Sequence, residues 1–159
     1  MTERARGVCL GVDVGQVRIG VAISDPDRIL ATPLVTLSRD RRTGRAAADG
    51  ATPVPADIAE LARLVRQHNV VTVVVGLPVN LAGQHGPAAS QASAYAERLA
   101  TAIDPVPVEL VDERMSTVVA SRRLSERGVR GRRQRAVVDQ AAAVEILQSW
   151  LDRQRRRTE

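Results

Sequence analysis

Three acidic positions interrupt segments that are otherwise apolar or small. Asp13 stands inside GVDVGQVRIGVAIS, residues 11–24. Asp112 and Glu113 close the apolar run VPVELVD and open DERMST. Asp139 lies in RAVVDQAAAVEILQSWLDRQ, residues 135–154, with Ala142, Ala143, Ile146 and Trp150 at helical spacing on the same face. Burying an unpaired carboxylate costs on the order of several kcal/mol even after relaxation. An acid on that face therefore implies a cation or a special partner, unless it is simply an acid favoured by the dipole of the first helical turns. Carboxylates with little His or Cys around them are hard oxygen donors suited to Mg²⁺ or Mn²⁺. Two such ions about 4 Å apart can activate water and stabilise the leaving oxygen in phosphodiester hydrolysis.

The elements that must position these acids follow from periodicity. VCLGVDV (8–14) and RIGVAIS (18–24) alternate as two strands joined by a tight turn. Alternation puts Cys9, Gly11 and Asp13 on one face, and Gly20, Ala22 and Ser24 on one face of the partner. If these small faces align, they leave room beside Asp13 for a bulky ligand such as a sugar-phosphate backbone. A strand-end acid satisfied by turn amides is the equal alternative. A third strand falls within 29–37, with Pro33 marking an edge or a bulge. Residues 38–57, rich in Gly, Pro, Arg and Ala, read as a mobile loop.

Helical spacing follows over 56–69, then a doubly buried strand over 70–78 and a helix over 86–103. A strand over 106–112, a helix over 117–127 capped by Ser116, and a helix over 135–154 complete the order, with an Arg-rich C-terminal tail. The order β-β-β-α-β-α-β-α-α describes one α/β domain, an antiparallel meander extended by parallel strands. Adjacent strand residues point opposite ways, so only one of Asp112 and Glu113 joins any one site. The competing reading of that pair is an exposed strand end with one acid bonded to Arg114.

Composition narrows the partners. All 23 basic residues are Arg and the formal charge is +5. This balance suits a phosphate-rich partner, although a coding bias toward Arg and Ala would produce the same total. Arg122, Arg123, Arg127, Arg130, Arg132, Arg133 and Arg135 crowd together just before Asp139. They read as a nucleic-acid clamp or as a solvated charge run. Tyr95 and Trp150 are the only aromatic residues, so there is no stacking platform for single-stranded bases, and backbone and shape readout is expected. Cys9 alone excludes an internal disulfide and a Cys-based zinc site, and it reads as a small buried residue. His68 and His85 lack zinc-site spacing; His85 is at most an accessory. With no signal-like or membrane-spanning run, a soluble cytoplasmic protein with no membrane partner is expected.

Together, GVDVGQVRIGVAISD (11–25), GLPVNLAGQHGPAA (76–89), DERMST (112–117) and DQAAAVEILQSWLD (139–152) occur in an order that resembles the YqgF/RuvX family of RNase H-like nucleases, relatives of the RuvC Holliday-junction resolvases. The resemblance covers nearly the full length. It implies an RNase H-like fold with a five-stranded mixed sheet flanked by helices. It also implies a divalent-metal-dependent nuclease acting on the 5′ end of pre-16S rRNA or on branched DNA. Asp13, Glu113 and Asp139 match the family's catalytic and metal-binding acids, with Asp112 ranked below Glu113. Asn80 is a candidate substrate contact, or equally a loop-structuring residue. The resolvase analogy points to a homodimer. The chain departs from the family in a longer 38–57 loop, in Tyr95 where Phe is common, and in Arg where Lys is frequent near the last helix.

Other classes remain to be weighed. Sugar-kinase and actin-like ATPase domains open with a similar hairpin, but they need two such domains. A nucleic-acid-binding factor that does not cleave would keep the arginines without needing the acids. A structural or interaction module fits the three separated acids least well.

Overall fold

In the computed structural model of the protein, the residues described are 6–40, 54–78, 86–112 and 132–158, with backbone alone at 132–136 and 158. The apolar alternation of the first 24 residues produces β1 (Val8–Val14) and β2 (Arg18–Ser24), whose turn is closed by the Gly15 amide donating to the Arg18 carbonyl at 2.9 Å. The remaining elements are β3 (Ala31–Ser38), α1 (Ala56–Gln67), β4 (Val70–Leu77), α2 (Pro87–Ile103), β5 (Val108–Asp112) and α3 (Arg132–Thr158).

The five strands form one mixed sheet in the order β3-β2-β1-β4-β5. β1–β2 and β2–β3 pair antiparallel; β1–β4 and β4–β5 pair parallel. This is the expected α/β arrangement. β3 is an edge strand, and its register against β2 slips where Val21 pairs with Val35 but Ala22 pairs with Pro33. A residue without an amide hydrogen is tolerated at such a place.

Alternation sorts each strand between two layers. Leu10, Val12, Ile19, Val21, Val73 and Val75 pack under α1 and α2, against Ile58, Leu61, Tyr95 and Leu99. Cys9, Ala22, Val74 and Val111 face α3, against Ala143, Ile146, Leu147 and Trp150. Fully burying each large aliphatic chain contributes about 1.5–3 kcal/mol, so both layers are needed to cover the sheet.

Two features differ from the sequence reading. The strip of small residues is not open floor, because α3 lies on it. A Cβ at Gly11 would come within 2.6 Å of Leu147 Cβ, and one at Gly20 within 2.1 Å of the Asp139 carbonyl oxygen. Missing side chains make room for a helix backbone as readily as for a ligand. α3 also starts earlier and ends later than 135–154. The Arg-rich tail is thus helical through Thr158. Arg and Gln are strong helix formers, and cations in the last turn complement the helix dipole. The segment expected as a helix over 117–127 lies outside the described residues, as does 41–53 of the expected mobile loop.

Candidate active site

Because β1, β4 and β5 run parallel, their carboxyl ends share one edge of the sheet. β1 sits where the topology divides, with the antiparallel meander on one side and the parallel strands on the other. In open α/β sheets, ligands bind outside the carboxyl ends of strands at such a division. Asp13 is the penultimate residue of β1.

Asp13 pairs directly across the ladder with Gly20, so the two share a face. The Asp139 backbone is seated on Gly20. One glycine therefore brings the first-strand acid and the last-helix acid to the same spot, on the same side of the sheet. Both acids are only 3 % exposed. The special partner expected for Asp139 is present: Arg18, at the start of β2, donates through Nε to Asp139 Oδ2 at 2.7 Å. The Arg18 side chain keeps 21 % exposure, so this cation lies between the buried acid and solvent.

The parallel register fixes the side of the sheet that Asp112 takes at the end of β5. Val111 pairs with Gly76 and belongs to the layer under α3, on the Asp13 side. Asp112, exposed and paired with Leu77, points to the opposite side. Glu113 lies outside the described residues, as do Asn80, His85, Arg122, Arg123, Arg127 and Arg130. Arg132, Arg133 and Arg135 are in the opening turns of α3. Among the described residues, no three His, Cys, Asp or Glu side chains converge as metal ligands. The described donors are two buried carboxylates, a chemistry that fits a hard divalent cation completed by a third oxygen ligand.

A second cluster supports this edge from the other side of the sheet. Arg39 donates through Nη1 to the Gly15 carbonyl at 3.1 Å, in the turn that follows Asp13. Its guanidinium lies over the Tyr95 ring, 5.6 Å from the centroid. The Tyr95 hydroxyl donates to Asp57 Oδ2 at 2.8 Å, and the Asp57 Oδ1 atom is buried without a hydrogen-bond partner. Burial, reinforced by the neighbouring Asp57 charge, pushes the Tyr95 phenol far above its ordinary range. The Asp40 carboxylate accepts from the Ala56 amide at 2.8 Å, so the two ends of the expected loop are tied together. Asp57 was not singled out from the sequence. Its signal was present: it lies four residues before Leu61, on the apolar stripe of α1. Cys9 is buried as expected, and burial raises its thiol pKa.

A family model described as "RuvX: Holliday junction resolvase" matches residues 7–153. The chain belongs to the RuvX family. Its relatives include proteins called "Putative pre-16S rRNA nuclease" in Rhodococcus jostii, 51 % identical over 97 % of this chain and 82 % of that one. Another is in Nocardia farcinica, 53 % identical over 95 % of this chain and 81 % of that one. A solved structure titled "T. thermophilus RuvC in complex with Holliday junction substrate" aligns with a TM-score of 0.50 at 15 % identity, covering 93 % of this chain and 95 % of that one. That likeness shows the RNase H-like fold. Membership in RuvX places the protein among nucleases, hydrolases of nucleic acid. Among the described residues, no helix is long and apolar enough to cross a membrane.

Proposed function

We propose that this RuvX protein is a divalent-metal-dependent endonuclease of structured RNA, with precursor 16S rRNA in the cytoplasm as its substrate. The observation that carries the reading is that Asp13 pairs with Gly20 across the ladder and the Asp139 backbone is seated on that same glycine, at the carboxyl edge of β1. Two nearly buried carboxylates carried on one side of the sheet, beside the same glycine, are hard oxygen donors suited to Mg²⁺ or Mn²⁺. Glu113 is the third ligand of this reading. When bound, such an ion supplies an activated water and stabilises the leaving oxygen.

The chain's own residues do the rest. Asp13 and Asp139 are fixed by a strand and a helix that cannot shift independently while Gly20 locks them together. Arg18 neutralises Asp139 and presents a partly exposed guanidinium beside the substrate path, where it can meet a phosphate. The arginines from Arg122 to Arg135 hold further phosphates. The name shared by relatives of about half-identical sequence supports precursor rRNA as the substrate.

The family description favours a second reading, the cutting of four-way DNA junctions. Symmetric cutting there requires a two-fold homodimer. Wild type and Asp13→Asn should be offered a pre-16S 5′ fragment and a synthetic four-way junction, with Mg²⁺, with Mn²⁺ and with EDTA. Cleavage of the RNA alone, lost in EDTA and in the variant, is the expected result. Preferential cutting of the junction selects the second reading. Binding of both without cleavage by wild type overturns the nuclease assignment.

A further inference from the structure

α3 outruns the sheet it packs on. Its last buried residue is Leu151, yet the helix continues to Thr158. The inward stripe of Ile146 and Trp150 continues, at helical spacing, into Arg153 and Arg157. Past the sheet edge, apolar residues on that stripe thus give way to arginine. Arg153, Arg156 and Arg157 are all exposed, and among the described residues none of them has an ion-pair partner. They stand at i, i+3 and i+4, where like charges on one helix face repel. The helix dipole favours cations at a C-terminus, but it does not require three of them on one face of an unpacked overhang.

The overhang is anchored where it leaves the sheet. Gln148 Nε2 and Arg155 Nη1 both donate to the Ile29 carbonyl, at 2.9 and 2.8 Å. The Gln148 side-chain oxygen accepts from the Ala31 amide at 2.8 Å. The turn that receives these bonds is itself braced, because Arg28 lies over the Trp150 ring. The three exposed arginines are therefore presented from a fixed support at the end of the sheet opposite the acids.

We infer that Arg153, Arg156 and Arg157 form a second phosphate-binding surface, which engages the nucleic-acid backbone at a fixed distance from the cleavage site. The inference builds on the proposed action on nucleic acid. At 1.5 Å per residue, the helix places these arginines about 21–27 Å from Asp139. That span corresponds to roughly seven base-pair steps, taking the duplex DNA spacing of 3.4 Å as a guide. A duplex shorter than this reaches one surface only, and a longer one reaches both. The rigid helix would then act as a ruler, rewarding substrates with a continuous duplex arm beside the cut.

The test compares the protein with a variant carrying Arg153→Gln, Arg156→Gln and Arg157→Gln. Gln keeps helix propensity while removing charge. Far-UV circular dichroism checks that the helix is retained, and a triple Arg→Lys variant restores the charge. Binding to RNA hairpins with stems of about 5 and 16 base pairs is followed by fluorescence anisotropy in EDTA, across a salt titration. Each phosphate contact steepens the log K against log[salt] slope by about 0.9 on a duplex. The long stem should therefore show a wild-type slope steeper by up to about 2.7, equivalent to roughly 40-fold more affinity lost between 50 and 200 mM salt. The Gln variant should lose this excess on the long stem and match wild type on the short one, and the Lys variant should keep it. Equal slopes for wild type and the Gln variant on the long stem would overturn the inference and leave an acidic protein surface as the partner. An equal loss on both stems would overturn the ruler. Failure of wild type to bind either stem would overturn this inference together with the action on nucleic acid.

Discussion

Arg18 and Asp139 lie 121 residues apart in sequence and meet in a hydrogen-bonded ion pair of 2.7 Å. The pair joins the start of β2 to α3 beside the carboxyl end of β1, where Asp13 is the penultimate residue. It neutralises the second acid of the candidate site without burying the cation completely. A cation that binds Asp139 must therefore compete with Arg18.

Replacing Arg18 with Gln should tighten Mn²⁺ binding by about tenfold, equivalent to ~1.4 kcal/mol. Electron paramagnetic resonance of free Mn²⁺ reads this without reference to turnover. Nucleic-acid affinity should fall in the same variant, because the guanidinium is lost. Unchanged or weaker Mn²⁺ binding would remove Arg18 from the role of competitor.

Asp13→Asn is nearly isosteric and keeps an acceptor at the same place. The fold should persist while cleavage drops by at least about 100-fold, since even residues behind a metal ligand cost 10–100-fold when changed. Thermal unfolding and a cleavage assay on the same preparation separate the two effects. Comparable cleavage by the variant would exclude Asp13 from the chemistry.

Gly20→Ala tests the seat of α3. Its Cβ would stand 2.1 Å from the Asp139 carbonyl oxygen and 3.2 Å from the Gln140 amide nitrogen, both backbone atoms. The helix must lift, and overpacking of this kind costs about 1–3 kcal/mol. For a domain of this size that is a fall in Tm of roughly 2–12 °C, at 2–4 °C per kcal/mol. Activity should fall further than stability, because the same lift separates Asp139 from Asp13. A variant with wild-type Tm and activity would show that the helix sits elsewhere in solution.

Tyr95→Phe leaves the Asp57 carboxylate without the hydroxyl that reaches it. The second oxygen already lacks a partner. An unsatisfied buried acceptor costs about 1–3 kcal/mol, more if charged. Chemical denaturation should show the loss, and Asp57→Asn combined with Tyr95→Phe should lose less than the two single changes summed. Strict additivity would mean that the two side chains do not interact.

Asp25 gives a pH dependence. Its carboxylate accepts from the amides of Asp27, Ile29 and Leu30, at 3.2, 2.8 and 2.8 Å. Those bonds, with Leu30 first, hold its pKa below the ordinary Asp value. A group depressed in the folded state stabilises the protein above the unfolded pKa, near 3.9. That stability is lost as pH falls through the folded value. The stability difference between wild type and Asp25→Asn should stay constant above about pH 5 and shrink below about pH 4. A difference that does not change with pH would show that Asp25 titrates normally.

Much of this arrangement is legible in the sequence. Period-two alternation revealed the β1–β2 hairpin and the face carrying Asp13. Pro33 marked the edge strand and its slip in register. Period-3.6 spacing put Asp139 against the sheet, and the cost of a buried carboxylate demanded a partner. The identity of that partner was not legible, because nothing local connects Arg18 to a residue 121 positions away. The strip of Gly11, Gly20 and Ala22 suits a ligand by its sequence, whereas α3 fills it. Small residues announce a close approach without naming what approaches. Asp57 stands out locally, as an acid on the apolar stripe of α1, but its bond to Tyr95 is not legible, because it arises only where α1 packs against α2.

The division of the two acids between β1 and α3 also orders events in time. A ribosome delivers β1 first, and the hairpin can form from local contacts soon after it emerges. Asp139 is delivered more than a hundred residues later, and it reaches Asp13 only when α3 has been made far enough to cover Gly11 and Gly20. Until then, a growing chain carries one acid above a bare strip of glycine and alanine. Juxtaposition of the two acids is thus a late step of biosynthesis, completed only when the last helix docks on the sheet.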